Sequence, residues 1–261
     1  MAGNFQGKAV VVTGASSGLG RFIAVELAKH GAECWLVGRN ASELEETARL
    51  IAEASGPTAH AAPMDLAQRG PLAALIEEVG RKHPHLFALI GNAGVMYPEP
   101  ILKGTVERWQ HMIDINVMAV LEGSKAAIEV MRRHKKPGHI INVSSMQGHF
   151  EEPGVYGVTK AGVEMIGATL RDELEQDDIR VCTIIPGGFQ TQLARGLLPE
   201  ELASIVDKMK ASGLEFGAPG TERLMGDPQH IANVTRYILE QPIELNIQEV
   251  MIRPAVSLKI K

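Results

Sequence analysis

One stretch constrains the fold more than any other: Lys8-Ala-Val-Val-Val-Thr13 running into Gly14-Ala-Ser-Ser-Gly18-Leu-Gly20. A short apolar, β-branched run ended by glycine reads as a buried strand. The glycines give a tight turn, and a helical pattern follows from about Arg21 to His30, closed by Gly31. A strand with no polar face that turns directly into a helix belongs in a parallel sheet, where crossover helices cover both faces. The turn also leaves backbone N–H groups free at a helix N-terminus, where a pyrophosphate can be held. The spacing is Gly-x-x-x-Gly-x-Gly rather than Gly-x-Gly-x-x-Gly, so the strand–turn–helix context carries that reading.

The alternation continues along the chain. Strand-like runs recur at Glu33–Val37, Ala59–Met64, Leu86–Ile90, His139–Val143, Arg180–Ile185 and Glu249–Arg253. Between them lie helical patterns: one capped by Ser42 with Glu45 in capping-box position, then Pro71–Lys82, a long stretch from Thr105 to Arg133, and Tyr156 to about Gln176. Pro199–Lys210 reads as a short amphipathic helix and Pro228–Leu239 as a further one. The pattern predicts a doubly wound parallel sheet of about seven strands with helices on both faces. With 261 residues, 45% of them apolar, and no repeat or linker, a single domain over 1–261 is expected.

Charge and cysteines narrow the function. A net charge of −5 provides no field for nucleic acid or an anionic membrane. The basic run Arg132-Arg133-His134-Lys135-Lys136 suits a helix C-terminus before Pro137-Gly138. Cys34 and Cys182 lie in apolar strands and read as buried thiols in a reducing compartment. No Cys/His spacing suits a metal, and His83-Pro84-His85 reads as a loop. No segment approaches ~18 uninterrupted apolar residues, so a cytoplasmic protein is expected.

In a doubly wound sheet, ligands sit at the carboxyl ends of the strands. The residues with chemistry fall there: Gly14 to Gly20 with Ser16, Ser17, Gly18 and Leu19; Arg39; Asp65 and Leu66; Asn92-Ala93-Gly94; Ser145; Pro186 and Gly187. At the second strand end the chain reads Val37-Gly38-Arg39-Asn40, with no acid for a free ribose 2′-hydroxyl. Arg39 can pair with a 2′-phosphate, aided by Ser16 and Ser17, which favours NADP(H) over NAD(H). Tyr156 and Lys160 stand four apart, on one helix face. A lysine ammonium beside a phenol favours the phenolate and lowers its pKa from about 10.

Together these residues resemble the short-chain dehydrogenase/reductase family over nearly the whole chain. Thr13-Gly14-x-x-x-Gly18-x-Gly20 is similar to its cofactor loop, Asp65 to its adenine-contacting acid, and Asn92-Ala93-Gly94 to most of its Asn-Asn-Ala-Gly motif, with Gly91 departing at the first place. Ser145, Tyr156 and Lys160 match its catalytic trio, and Asn116 its helix asparagine. Ser145 is chosen over Ser144 because Ser-x-x-Gly continues as Met146-Gln147-Gly148. Pro186-Gly187, Phe189 and Thr191 match the segment lying against the nicotinamide. The tail from Asn246 to Pro254 resembles NADP-dependent 3-hydroxy acid, serine and sulfoacetaldehyde-type members.

The resemblance implies a single Rossmann domain and hydride transfer between a nicotinamide and a carbonyl or alcohol carbon of a small substrate. Tyr156 is the general acid/base, Ser145 binds the carbonyl oxygen, Lys160 tunes Tyr156 and holds the ribose, and Asn116 positions a relaying water. The Ser-to-Tyr separation of 11 residues is short, so His149–Gly154 should shape a different pocket. Met96, Gln147, His149, Phe150, Phe189 and Leu193 are the pocket candidates. Arg195 is a carboxylate or sulfonate clamp candidate, and 190–226 is the expected substrate lid. A homodimer or homotetramer is expected through 105–133 and 156–176, with Ala126, Ile128, Val163, Ile166 and Ala168 as its apolar residues. The main rival is a catalytically silent NADPH sensor or scaffold on the same fold. An epimerase or a purely structural domain leaves the glycine spacing or the trio unexplained.

Overall fold

The structure is a computed structural model that describes residues 4–149, 154–191 and 225–255, together with Leu193, Ala203 and Asp207. Seven parallel strands form one sheet: β1 Ala9–Thr13, β2 Glu33–Gly38, β3 His60–Pro63, β4 Leu86–Gly91, β5 Gly138–Val143, β6 Ile179–Pro186 and β7 Glu249–Ile252. Their order is β3-β2-β1-β4-β5-β6-β7. The chain winds outward from β1 in one direction and from β4 in the other. The switch point therefore lies between β1 and β4, where such sheets bind ligands.

The described helices are α1 Gly18–Lys29, α2 Ala41–Glu53, α3 Pro71–Lys82, α4 Val106–Ile113, α5 Ala119–His134, α6 Gly154–Glu173 and α7 Pro228–Glu240. Alternate residues of β1 point to opposite cores. Val10 and Val12 join Ile23 and Leu27 of α1 and Ile231 of α7. Ala9 and Val11 join Ile76 and Val79 of α3 and Ala127 and Val130 of α5. This double burial is why β1 and β4 read as nearly unbroken apolar runs. Truncating a residue such as Leu27 or Ile76 to Ala should cost about 2–5 kcal/mol.

Three local expectations change. α2 is capped by Asn40, not Ser42: Asn40 Oδ1 accepts from the Glu43 N–H at 3.2 Å and from Ser42 Oγ at 2.8 Å. The helix starts at Ala41, so Asn40, three residues before Glu43, is the side chain placed to satisfy that N–H. The long stretch from 105 is not one helix. A π turn over Asp114–Met118 separates α4 from α5, with the Ala119 N–H bonded to the Asp114 carbonyl. Finally, Ala126, Ile128 and Val163 lie buried in the core and present no free apolar face. The exposed large apolar residues on these elements are Val106, Ile113, Met118, Leu121, Val158 and Met165.

The expectations for the basic run and for the two cysteines hold. The basic run ends α5, Lys135 adopts the left-handed C-cap conformation, and Arg132 and Arg133 pair with Asp177 and Glu77. Cys34 and Cys182 are buried free thiols, each pushed up to about 12 by burial. Among the described residues there is no cluster of metal-binding side chains, and no helix is long and apolar enough to cross a membrane.

Candidate active site

The carboxyl ends of β1, β2 and β4 form one bonded assembly. Thr13 Oγ1 donates to the Ile90 carbonyl at 3.1 Å and accepts from the Asn92 and Ala93 N–H groups at 3.0 and 3.1 Å. Asn92 Nδ2 returns a bond to the Thr13 carbonyl at 3.0 Å. Gly14 has a φ of +68°, and a Cβ there would meet Asn92 Nδ2 at 2.8 Å and Ala93 Cα at 2.9 Å. A Cβ on Gly20 would run into the Gly14 carbonyl. Both glycines are thus required by close backbone approach.

Arg21 fastens the loop to α2. It donates to the Ser16 carbonyl, to the Glu43 carboxylate at 2.6 Å and to Thr47 Oγ1 at 3.0 Å, while Thr47 Oγ1 reaches the Ala15 carbonyl at 2.9 Å. This brace was not read from the sequence, although Arg21 directly follows Gly20.

The loop fits a dinucleotide. Ser17 is the N-cap of α1 but its side chain makes no capping bond, and the first turn holds no acid. Its hydroxyl and the first-turn N–H groups are therefore available to an anion. Arg39, exposed one residue beyond β2, has no hydrogen bond or ion pair among the described residues. Asp65 is half-buried and accepts from the Ala67 N–H through Oδ1 at 3.0 Å. Leu66 is buried beside it.

The catalytic candidates converge from β5 and α6. The Ser145 hydroxyl faces the Tyr156 phenol and favours its ionised form. Burial pushes that phenol up to about 12, against the downward pull of Ser145. Lys160 is pushed down to about 8 by burial, with Glu164 opposing. Its Nζ donates to the Val143 carbonyl at 2.8 Å and lies 5.9 Å from the Tyr156 ring centroid. The expected lowering of Tyr156 by Lys160 is thus reversed, because removing the phenolate from water outweighs a lysine turned toward β5.

Ser144 is committed elsewhere, with Oγ 2.7 Å from Glu164 Oε1 and 2.9 Å from the Lys160 carbonyl. Glu164 Oε2 also meets His149 Nε2 at 3.0 Å, which ties His149 to α6. Glu164 thus joins the turn after Ser145 to the helix of Tyr156 and Lys160. Its signal in the sequence was its place one helical turn beyond Lys160.

Asn116 is fully buried in the π turn. Its Oδ1 accepts from the Val95 N–H at 2.8 Å, and its Nδ2 donates to the Val95 carbonyl at 2.9 Å and to Thr159 Oγ1 at 3.0 Å. Its side chain latches the strand β4 loop to α6. A Cβ on Gly94 would lie 3.3 Å from Asn116 Oδ1 and 3.5 Å from Lys160 Nζ, so all three meet at one point.

Gly187 closes the opposite side, its N–H bonded to the Ile252 carbonyl at 2.7 Å. A Cβ there would lie 2.8 Å from Arg253 Cβ and 3.2 Å from Met146 Sδ. Pro186 ends β6, and buried Phe189 bridges to Gly226. The Gln190 N–H bonds the Gly226 carbonyl at 3.0 Å and the Gly226 N–H bonds the Gly188 carbonyl at 2.9 Å, pinning the two ends of the intervening segment together. Thr191 and Leu193 follow, with the Leu193 N–H 3.4 Å from Thr191 Oγ1. Met96 and Gln147 are half-buried, and the Gln147 N–H reaches Ser145 Oγ at 3.2 Å. Phe150, Arg195 and nearly all of the expected lid and its Pro199–Lys210 helix lie outside the described residues.

The departure at Gly91 has a counterpart in β5. A Cβ at Gly91 would lie 2.7 Å from Asn142 Oδ1. Both amide atoms of Asn142 are buried without a hydrogen-bond partner among the described residues, beside a cavity of about 10 Å³ lined by Thr13, Leu89, Gly91 and Ala93.

A dinucleotide loop at the switch point, facing a Ser–Tyr–Lys cluster across one sheet edge, defines a nucleotide-binding oxidoreductase. The sequence pattern of the short chain dehydrogenase family matches residues 8–202, and the chain belongs to that family. It is 33% identical over 252 residues to an uncharacterized oxidoreductase of Staphylococcus saprophyticus, covering 95% of this chain and 98% of the relative. A metagenomic short-chain oxidoreductase in complex with NADP superposes with a TM-score of 0.77 at 27% identity, over 97% of this chain and 99% of its own. L-sorbose reductase from Gluconobacter frateurii, complexed with NADPH and L-sorbose, gives 0.81 at 27% identity, over 97% and 98%.

Proposed function

We propose that the protein is an NADPH-dependent carbonyl reductase with Tyr156 as general acid. The observation that carries this reading is the convergence of Ser145 with buried Tyr156 and Lys160 at the edge that bears the glycine loop. When bound, the nicotinamide supplies the hydride. A phenol held at about 12 is fully protonated at neutral pH and ready to donate to a carbonyl oxygen. Ser145 donates a hydrogen bond to the same oxygen as charge develops on it. Lys160, poised near neutrality, replaces the proton that Tyr156 gives up.

Arg39 and the free Ser17 hydroxyl support NADPH over NADH. Arg39 takes the 2′-phosphate while the α1 N-terminus takes the pyrophosphate. The substrate faces Met96, Gln147, Phe189 and Leu193, a mixed surface suited to a small polar carbonyl compound. The exposed Leu121, Val158 and Met165 support a homodimer through α5 and α6.

The test is oxidation of NADPH and NADH against short aldehydes, 3-oxo acids, sulfoacetaldehyde, ketoses and aryl ketones, beside two variants. Tyr156→Phe should keep NADPH binding and lose about 100- to 10,000-fold in turnover. Arg39→Asp should raise the KM for NADPH by about tenfold or more and leave that for NADH nearly unchanged. Turnover undiminished in Tyr156→Phe overturns the mechanism. NADPH binding without turnover on every class favours the sensor reading.

A further inference from the structure

At the sheet edge opposite the catalytic residues lies a cavity of about 290 Å³. Phe5, Phe87, Pro137, Leu239 and Ile243 form its apolar lining, and Phe5, Phe87 and Leu239 are buried. Lys8, just before β1, places its ammonium 4.1 Å from the Phe87 ring centroid and 5.4 Å from that of Phe5. Among the described residues it has no carboxylate partner, and burial lowers its pKa. His139, in β5, lines the same cavity and is 5% exposed. Its ring packs on Phe87 at 4.9 Å, but neither nitrogen has a hydrogen bond among the described residues. The imidazole nitrogens open toward the cavity, where a hydrogen-bonding ligand can reach them.

The sign of the field is set by the surroundings. The ionisable groups acting on His139 are Lys8, Arg180 and His85. Those acting on His85 are Lys136, Lys8 and His134. Glu240 is the single carboxylate among the lining residues, and it is already held by Asn4 Nδ2 at 3.0 Å and by Arg236 at 2.8 Å. The open charge in the cavity is therefore positive, while its walls are aromatic.

We propose that this cavity binds a small carboxylate with a flat apolar body. The carboxylate meets the Lys8 ammonium and accepts from a His139 N–H. The body packs between Phe5, Phe87 and Leu239. The volume lies near the lower end for small-molecule sites and suits a one-ring acid. The site is separate from hydride transfer: Lys8, Phe87 and His139 stand at the starts of β1, β4 and β5, while Gly14, Asn92 and Ser145 follow their ends.

Saturation-transfer NMR on the full chain with phenylacetate, and with neutral phenylacetamide as control, tests this. Phenylacetate should bind, and phenylacetamide should bind about tenfold more weakly. Lys8→Gln removes the charge and Ile243→Trp blocks the cavity, and neither should alter NADPH binding. Loss of the phenylacetate signal in both variants, with circular dichroism unchanged, supports the site. No signal up to about 10 mM, equal binding of the amide, or an undiminished signal in either folded variant overturns it. If Lys8→Gln fails to fold, Ile243→Trp alone decides.

Discussion

At the residue scale, the site is governed by burial as much as by charge. Tyr156 and Lys160 are each pushed toward their neutral forms, and the fold carries that cost. Lys160 sits at about 8 against an ordinary 10.5. Below pH 8 both folded and unfolded chains hold the proton, and the buried charge costs stability in full. Between 8 and 10.5 only the unfolded chain holds it, so the cost fades as pH rises and is gone above that range. Lys160→Met should therefore abolish turnover yet raise the melting midpoint by roughly 5 °C below pH 8, with the gain disappearing as the pH nears 10.5. Thermal scans across pH check both the sign and the window. The candidate residues themselves were legible in the sequence because their spacings are local. The direction of the Tyr156 shift was not, because desolvation depends on what the rest of the chain packs over the ring. Glu164 and Arg21 were missed for a related reason: their partners, Ser144, His149, Glu43 and Thr47, come from other elements.

At the element scale, the strands were the most legible part. A segment buried on both faces has no polar period to obscure it, and β1 and β4 read directly as apolar runs. The π turn at Asp114–Met118 was invisible, because one extra residue in a helix leaves no mark in a short stretch of apolar spacing. Yet that turn is the place where Asn116 reaches both Val95 and Thr159. Deleting Val117 should restore a continuous α-helix and rotate Asn116 away from one set of partners. The expected outcome is NADPH binding within about threefold of the parent and turnover reduced by about 100-fold, since small displacements of positioned groups carry large rate penalties. Titration of cofactor fluorescence beside steady-state rates separates the two effects. Unchanged turnover would assign the π turn to packing alone.

At the scale of the whole molecule, the winding brings all the strand ends with chemistry to one edge and leaves an apolar surface on neighbouring helices. Ile113, Met118, Leu121, Val158 and Met165 are exposed there, whereas Ala126, Ile128 and Val163, expected there from apolar character alone, proved to be core, and Ile166 and Ala168 are half-buried. Periodicity marks which side of a helix is apolar but not which apolar residues the sheet has already covered. Light scattering should give the mass of a dimer or a larger even assembly, and Val158→Lys with Met165→Lys should shift it to one chain. An unshifted mass would place the contact elsewhere. The pinned junction at Phe189 and Gly226 bears on which substitutions the chain tolerates there. Two backbone bonds hold Gly188 and Gln190, after β6, against Gly226, before α7, through main-chain atoms alone. Because main-chain groups alone make this junction, side chains at Gln190 can vary without loosening it, and the docking of β6 against α7 survives such changes.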